Sequence, residues 1–421
     1  MNQFKGKRLL ILGANVTECF IVKRAHELGI YTIVTDNNTD RTKSPAKQIS
    51  DEYWDISWSD IDSLVSKCND CGVDGVIAGF SEFRVESQIA LCERLNLPCP
   101  ITMEQLDFTR DKVKFKDVCR IVDLPVVPEF SEIDAFENLP VIVKPVDRAG
   151  SIGISVAFTK EELLVACEKA VNASPSGKII IEKYMDHCIK FDLYYLISNG
   201  EVFLLGSNDT LMCPPNKGHE ILQSAWIFPS YKQQRFVEKH GEEINKFFKY
   251  LNIRNGYITI SAFVDENENF FIFETGFRLS GELSFEYTKY AYGYNYLDFL
   301  IEFAFRGIQD RNFMLPPKKS EIPLLVLNHY ANDGEIVSKK HLSVNCESYW
   351  IYDYLKDVNC LHNDNGNGVS KVAMSFIPVE SIDKVARIID SINEELDVIG
   401  KDNCSLIYNR ITDVELKKLI Q

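Results

Sequence analysis

The sequence is short of positive charge. Its 421 residues hold 46 Lys and Arg against 61 Asp and Glu, a formal net charge of -15. A nucleic-acid surface needs a basic footprint, so this balance argues against DNA or RNA as a partner. A local cluster of lysines can still hold phosphate against the global field. Long apolar runs are also missing. None reaches the length that spans a bilayer, and the opening MNQFKGKRLLILGAN has no apolar signal core, so neither a membrane span nor a signal peptide is expected. The dinucleotide fingerprint G-x-G-x-x-G is absent: at Gly13-Ala14-Asn15 only its first glycine stands, which argues against NAD or FAD. The twelve cysteines form no framework. Cys68 and Cys71 have C-x-x-C spacing, but no second pair completes a metal site and no redox-type helix start follows. They are expected as free thiols in a reducing cytosol, which places the chain in the cytoplasm. No internal repeat is visible.

What is present is ordinary globular material, 45% hydrophobic and 25% charged. The length is too great for one core and predicts two to four structural units. KRLLILG, YTIVTD and VDGVIAG read as short buried strands, and ECFIVKRAHELG, DIDSLVSKCNDCG and VESQIALCERLNLP as the helices between and after them. This alternation predicts a parallel α/β unit over 1–108, with the loops near Gly13 and Gly79 pointing toward a ligand crevice. The middle of the chain predicts an α+β unit with mostly antiparallel strands over 109–316. There TKEELLVACEKAV is a helix capped by Thr159 and Glu162, Asn199-Gly200 is a hairpin turn, and YITISAFV-DENEN-FFIFET is a second hairpin. Residues 317–421 predict a smaller α+β unit, with HNDNGNGVS as a loop.

Four segments carry chemistry. Lys144 ends the apolar strand VIVK, where an ammonium is poorly placed unless an anion meets it. The loop after it carries Gly150, Ser151 and Gly153, small residues that let backbone N–H groups approach phosphate oxygens. IIIEKYM ends in Glu182-Lys183-Tyr184-Met185 and offers backbone groups and an apolar wall to a purine. FFIFETGFRLSG delivers Glu274 as a hard oxygen ligand for Mg²⁺ and Arg278 as a two-point anion clamp. Lys112 opens the helix of FTRDKVKFKDVC. Read singly, each has a plain structural alternative: an edge lysine, a solvated strand end, a structural Glu–Arg pair, one lysine among many.

Together and in this order, the segments resemble the ATP-grasp superfamily, in its carboxylate–amine ligase branch. DK at 111–112, VKP at 143–145 with the glycine loop, IEKYM as the adenine hinge and FETGFRLSG as the E-x-N-x-R motif carry the resemblance over nearly the whole chain. ISDEYWDISWSD resembles the preceding domain, and KVAMSFIPVESIDKVARIIDSINEELDV the small closing domain. The resemblance implies an ATP-grasp fold with a lid subdomain at about 120–183. It implies that Lys112 and Lys144 bind ATP phosphates under the Ala149–Gly153 loop. Glu182, Lys183, Tyr184 and Met185 would line the adenine site, Asp192 or Asp186 would stand for the ribose carboxylate, Glu274 would hold Mg²⁺, and Arg278 would steady the acyl phosphate or the tetrahedral intermediate. The implied activity is ATP-dependent activation of a small carboxylate for attack by an amine, in a possible homodimer. Three positions depart from the pattern: Gly276 replaces the usual Asn, Ala262 the usual acid, and Lys190 an acid near the ribose. They leave open a single metal, acids borrowed from elsewhere, another acceptor (carboxyphosphate, thiol or sugar amine), or nucleotide binding with little catalysis.

Overall fold

The computed structural model describes residues 4–148, 152–213, 222–307, 313–355, 358, 360–362 and 371–420. Ala149, Gly150 and Ser151 of the glycine loop, residues 214–221, and residues 363–370 of the predicted HNDNGNGVS loop lie outside them. Among the described residues no helix is long and apolar enough to cross a membrane.

Strands β1 (Arg8–Leu12), β2 (Tyr31–Thr35), β3 (Glu52–Trp54) and β4 (Gly75–Ile77) form the expected parallel sheet, ordered β3-β2-β1-β4. Their near-continuous Leu, Ile and Val content fits strands covered by helices on both faces. The loops after β1 and β4 lie in part as the sequence predicts, since Gly79 lines a small cleft together with Arg278 and Leu279. Both loops also close on a buried ion pair: Arg84 Nη1 donates to Glu18 Oε1 at 2.7 Å and to the Leu12 carbonyl at 3.2 Å. Gly13 has φ +96°, and a Cβ there would lie 2.1 Å from Arg84 Cζ; Gly79 has φ +71°, and a Cβ would lie 2.8 Å from Glu18 Oε1. Both glycines exist to let this pair in.

A small antiparallel sheet follows, ordered β5-β8-β6-β7, from β5 (Glu129–Phe130), β6 (Val141–Pro145), β7 (Ser155–Ala157) and β8 (Ile179–Lys183). Helix Lys160–Ala173 packs on it through Leu163, Ala166 and Ala170, and starts with the Thr159–Glu162 capping box read from sequence.

The largest sheet has nine strands, ordered β13-β12-β9-β10-β11-β14-β19-β17-β16. They are β9 (Ile189–Ser198), β10 (Glu201–Met212), β11 (Gln223–Phe228), β12 (Gly256–Val264), β13 (Phe270–Gly276), β14 (Leu324–Tyr330), β16 (Val344–Asn345), β17 (Trp350–Asp353) and β19 (Lys371–Pro378). The turn between β9 and β10 places Asn199 and Gly200 at positive φ, as an Asn-Gly hairpin requires. Strands after residue 317 join this sheet: β14 pairs with β11 and with β19. β15 (Gly334–Lys340), β18 (Cys360–His362) and β20 (Asp397–Gly400) form a separate three-stranded sheet.

The period of two along β9 decides where the site is. Phe191, Leu193, Tyr195 and Ile197 face one way and meet Phe115 and Val118 of helix Lys112–Ile121 and Phe236, Phe247 and Phe248 of helix Gln233–Tyr250. Lys190, Asp192 and Tyr194 therefore face the other way. On that second face the register sets Asn208, Ser261 and Glu274 beside them.

Candidate active site

Lys144 is the fourth residue of β6, and Glu182 the fourth of β8. The antiparallel register sets Glu182 opposite Ile142 and brings the two side chains together. Lys144 Nζ donates to Glu182 Oε2 at 2.5 Å, with the residues 6% and 1% exposed. Lys116 bonds the other oxygen of Glu182, donates to the Val127 carbonyl at 3.1 Å, and pairs with Glu129 at 3.0 Å. Burial alone would raise the Glu182 carboxyl, but the two ammonium groups hold it below its ordinary value. Lys144 Nζ also lies 5.2 Å from the centroid of Phe273, the neighbour of Glu274. Beside it Val127, Met185 and Phe273 form a small apolar cluster.

Lys112 is the first residue of its helix, capped by Asp111, and its backbone N–H bonds the carbonyl of Val146, just past β6. Its Nζ donates to the Arg148 carbonyl at 2.7 Å. Lys112, Arg148, Glu82 and Glu274 line one narrow cleft. Lys112 and Glu274 thus share one cleft, while Lys144 is tied to Glu182 beside the Phe273 ring. Gly153, at φ +78°, is packed so that a Cβ would lie 2.5 Å from Ala173 Cβ. Tyr184 is half-buried with its ring 6.0 Å from Phe158, and Lys183 is exposed. The backbone N–H groups of Lys183 and Tyr184 bond the Pro128 and Pro140 carbonyls.

Glu274 is exposed near the end of β13, has no ion partner among the described residues, and lines a cavity of about 310 Å³. Arg278, Glu282, Lys190, Trp226, Asn328 and Lys371 also line it. Arg278 donates to the Leu279 carbonyl at 3.0 Å and forms no ion pair among the described residues. Asp192 is fully buried, bonded by Lys190 and, at 2.5 Å, by Ser261 Oγ. Burial raises its carboxyl to about 6 against the opposing pull of Lys190. Glu282 accepts from Tyr194 at 2.7 Å and Ser280 at 2.6 Å; burial would raise it, but Lys190 and these bonds hold it low.

The donor set fits one hard divalent ion. Glu274 is unpaired, Glu82 shares its cleft, and Mg²⁺ is commonly held by one or two carboxylates plus substrate oxygens. Among the described residues no three His, Cys, Asp or Glu cluster as ligands. Ser261, not an acid, stands opposite Glu274, in line with the departure at Ala262.

Sequence reading missed three side chains. Lys116 follows Lys112 by four on the same helix, a spacing that puts both on one face. Lys371 opens an apolar strand, the signal that singled out Lys144. Glu82 left no trace, because only tertiary packing brings its helix to Glu274.

No protein-family profile matches the chain. It is 24% identical over 300 residues to the 2-oxoglutarate carboxylase small subunit of Hydrogenobacter thermophilus, a match covering 66% of this chain and 62% of that one, less than two thirds of the relative. It is 26% identical over 294 residues to a formate-dependent phosphoribosylglycinamide formyltransferase of Prochlorococcus marinus, covering 64% of this chain and 70% of that one. In three dimensions it is similar to the biotin carboxylase domain dimer of the H. thermophilus 2-oxoglutarate carboxylase, solved with MgADP, ADP and bicarbonate. The TM-score is 0.77 at 18% identity, over 94% of this chain and 91% of that one. The L-amino acid ligase of Bacillus licheniformis gives a TM-score of 0.74 at 18% identity, over 94% and 99%. The chain has the ATP-grasp fold, and its relatives lie in the carboxylate–amine ligase group of that superfamily.

Proposed function

We propose that this protein is an ATP-dependent ligase that activates a small carboxylate as an acyl phosphate for attack by an amine. The reading is supported by the cleft that Lys112, Arg148, Glu82 and Glu274 line, with Lys144 reaching the ring of Phe273 in an apolar cluster able to hold a base. The apolar wall of Val127, Met185 and Phe273, with the backbone of 182–185, takes the adenine. Lys112 and Lys144 neutralise phosphate oxygens as the Ala149–Gly153 loop covers them. Glu182, itself fixed by Lys116, holds the Lys144 ammonium in place, and Asp192 does the same for Lys190. Glu274, with Glu82 beside it, holds Mg²⁺, which supplies charge neutralisation on the phosphates. Arg278 holds the substrate carboxylate, whose oxygen forms a bond to the γ-phosphorus as the bond to ADP breaks. The amine then forms the C–N bond, phosphate leaves, and the amine proton passes to solvent or to a nearby base. Catalysis in this scheme is positioning and charge stabilisation.

The same reading divides the chain at about 109 and 317, with a lid at about 120–183, and makes the last segment complete the cavity floor. It places the enzyme in the cytoplasm, where eleven free cysteines among the described residues stay reduced. It allows a homodimer, like the carboxylase domain dimer that the fold resembles; light scattering tests this.

The test of function is release of ADP and phosphate when carboxylates and amines are screened with ATP and Mg²⁺. Lys144→Ala should weaken ATP binding at least tenfold, and unchanged affinity would overturn the assignment. A second reading, nucleotide binding with little turnover, is favoured by Ser261 facing Glu274 where a second acid would stand. Tight ATP binding with no ADP release from any pair would select it. A carboxyphosphate, thiol or sugar-amine acceptor would show as ADP release in the matching arm of the screen.

A further inference from the structure

The end of the 310 Å³ cavity away from Glu274 carries polar atoms that no group among the described residues satisfies. Trp226 is fully buried, and its Nε1 has no acceptor. Asn328 is 3% exposed; its Nδ2 donates to the Gln223 carbonyl at 2.8 Å and to Tyr330 Oη at 3.0 Å. Tyr330 gives its own proton to the Gln223 carbonyl at 3.1 Å. These bonds set the amide's orientation, since a flip would press its oxygen against that carbonyl. Asn328 Oδ1 is then left without a donor. Lys371 sits opposite Tyr330 in the β14–β19 register. Its Nζ meets Met374 Sδ at 3.6 Å and the Tyr354 ring at 5.3 Å, and it forms no ion pair among the described residues.

Among the described residues, an unpaired donor, an unpaired acceptor and an unpaired cation on one wall of one cavity call for an explanation. They match a ligand with two acceptor oxygens and an adjacent N–H or O–H. A carboxylate accepts from Lys371 and Trp226, while a neighbouring ammonium or hydroxyl donates to Asn328 Oδ1. Resting on the ligase reading, we propose that Trp226, Asn328 and Lys371 form a recognition subsite for an α-amino or α-hydroxy acid group, the part of the substrate that is not phosphorylated. The three residues sit on three different strands of the continuous sheet, β11, β14 and β19, so the fold holds their spacing rigid.

The test is calorimetric titration of the full chain with L-alanine, L-lactate and propionate, each with and without Mg²⁺ and a non-hydrolysable ATP analogue. Alanine or lactate should bind at least tenfold more tightly than propionate, which lacks the donor. Lys371→Met should weaken the preferred acid at least tenfold, Lys371→Arg should restore it, and the analogue's affinity should stay within twofold in both. Trp226→Phe should weaken it in the same direction. Propionate binding as well as the other two, no binding by any acid, or an unaffected Lys371→Met variant would each overturn the subsite and leave a water-filled pocket. Failure of the ATP analogue to bind would instead sink the ligase reading, while the titrations without nucleotide still decide the subsite.

Discussion

Single side chains in this protein act according to what they are paired with. Glu274 has no ion partner among the described residues and is exposed, so its carboxylate is available to a metal and contributes little to folding. Glu274→Gln should raise the Mg²⁺ concentration for half-maximal activity by about tenfold or more, with the melting temperature unchanged; a large melting shift would mean a structural role. Lys371 is the opposite case, a cation short of anions. Burial pulls its ammonium down to about 8, while Glu282, the one charged group acting on it, pulls the other way; Tyr354 and Tyr330 flank it. A depressed lysine keeps its charge below that value and loses it above. Affinity for an α-hydroxy acid should therefore fall by roughly tenfold per pH unit once pH passes 8, and Lys371→Arg should flatten the profile. A pH-independent affinity in the native protein would show that this ammonium does not hold the acid.

Elements show how much a sequence discloses. The strands and helices of the first unit, the Thr159 cap and the Asn199-Gly200 hairpin were legible, because each rests on periodicity or turn chemistry within a dozen residues. The loop after β4 was legible in part, since Gly79 does border a cleft, but the buried Glu18–Arg84 pair behind these loops was not. A glycine that leaves room for a ligand and one that leaves room for Arg84 look alike in sequence. Gly13→Ala provides the check at this scale. It places a methyl 2.1 Å from Arg84 Cζ on a backbone of positive φ, and so must break the buried Glu18–Arg84 pair. The expected cost is about 3–5 kcal/mol, read as an earlier midpoint in urea unfolding. A loss under 1 kcal/mol would mean that the pair rearranges freely.

At the scale of the molecule, the nine-stranded sheet joins residues from 189 to 378 into one surface. β14 covers the edge of β11 and supplies Asn328 and Tyr330 to the cavity, while β19 supplies Lys371. A chain ended at residue 316 would expose the backbone of β11 along its edge and bare Trp226, a template for aggregation. Such a truncation should lose most of its soluble yield and all binding of the acids tested above. A well-behaved, cooperatively folded fragment would show that the last segment docks as an optional unit.

Sequence alone determined the order of elements and the placing of Lys112, Lys144 and Glu274 at helix starts and strand ends. Those are local properties, written in charge, spacing and turn residues. Tertiary structure decided the rest: that Glu182 turns its carboxylate inward onto two lysines, that Glu82 reaches the metal-side cleft, and that Trp226, Asn328 and Lys371 share a wall. These residues lie tens to more than a hundred positions apart, and only strand register and helix packing bring them within reach of one another. Pairing at that range depends on the summed burial of the whole sheet, which no short window of sequence contains.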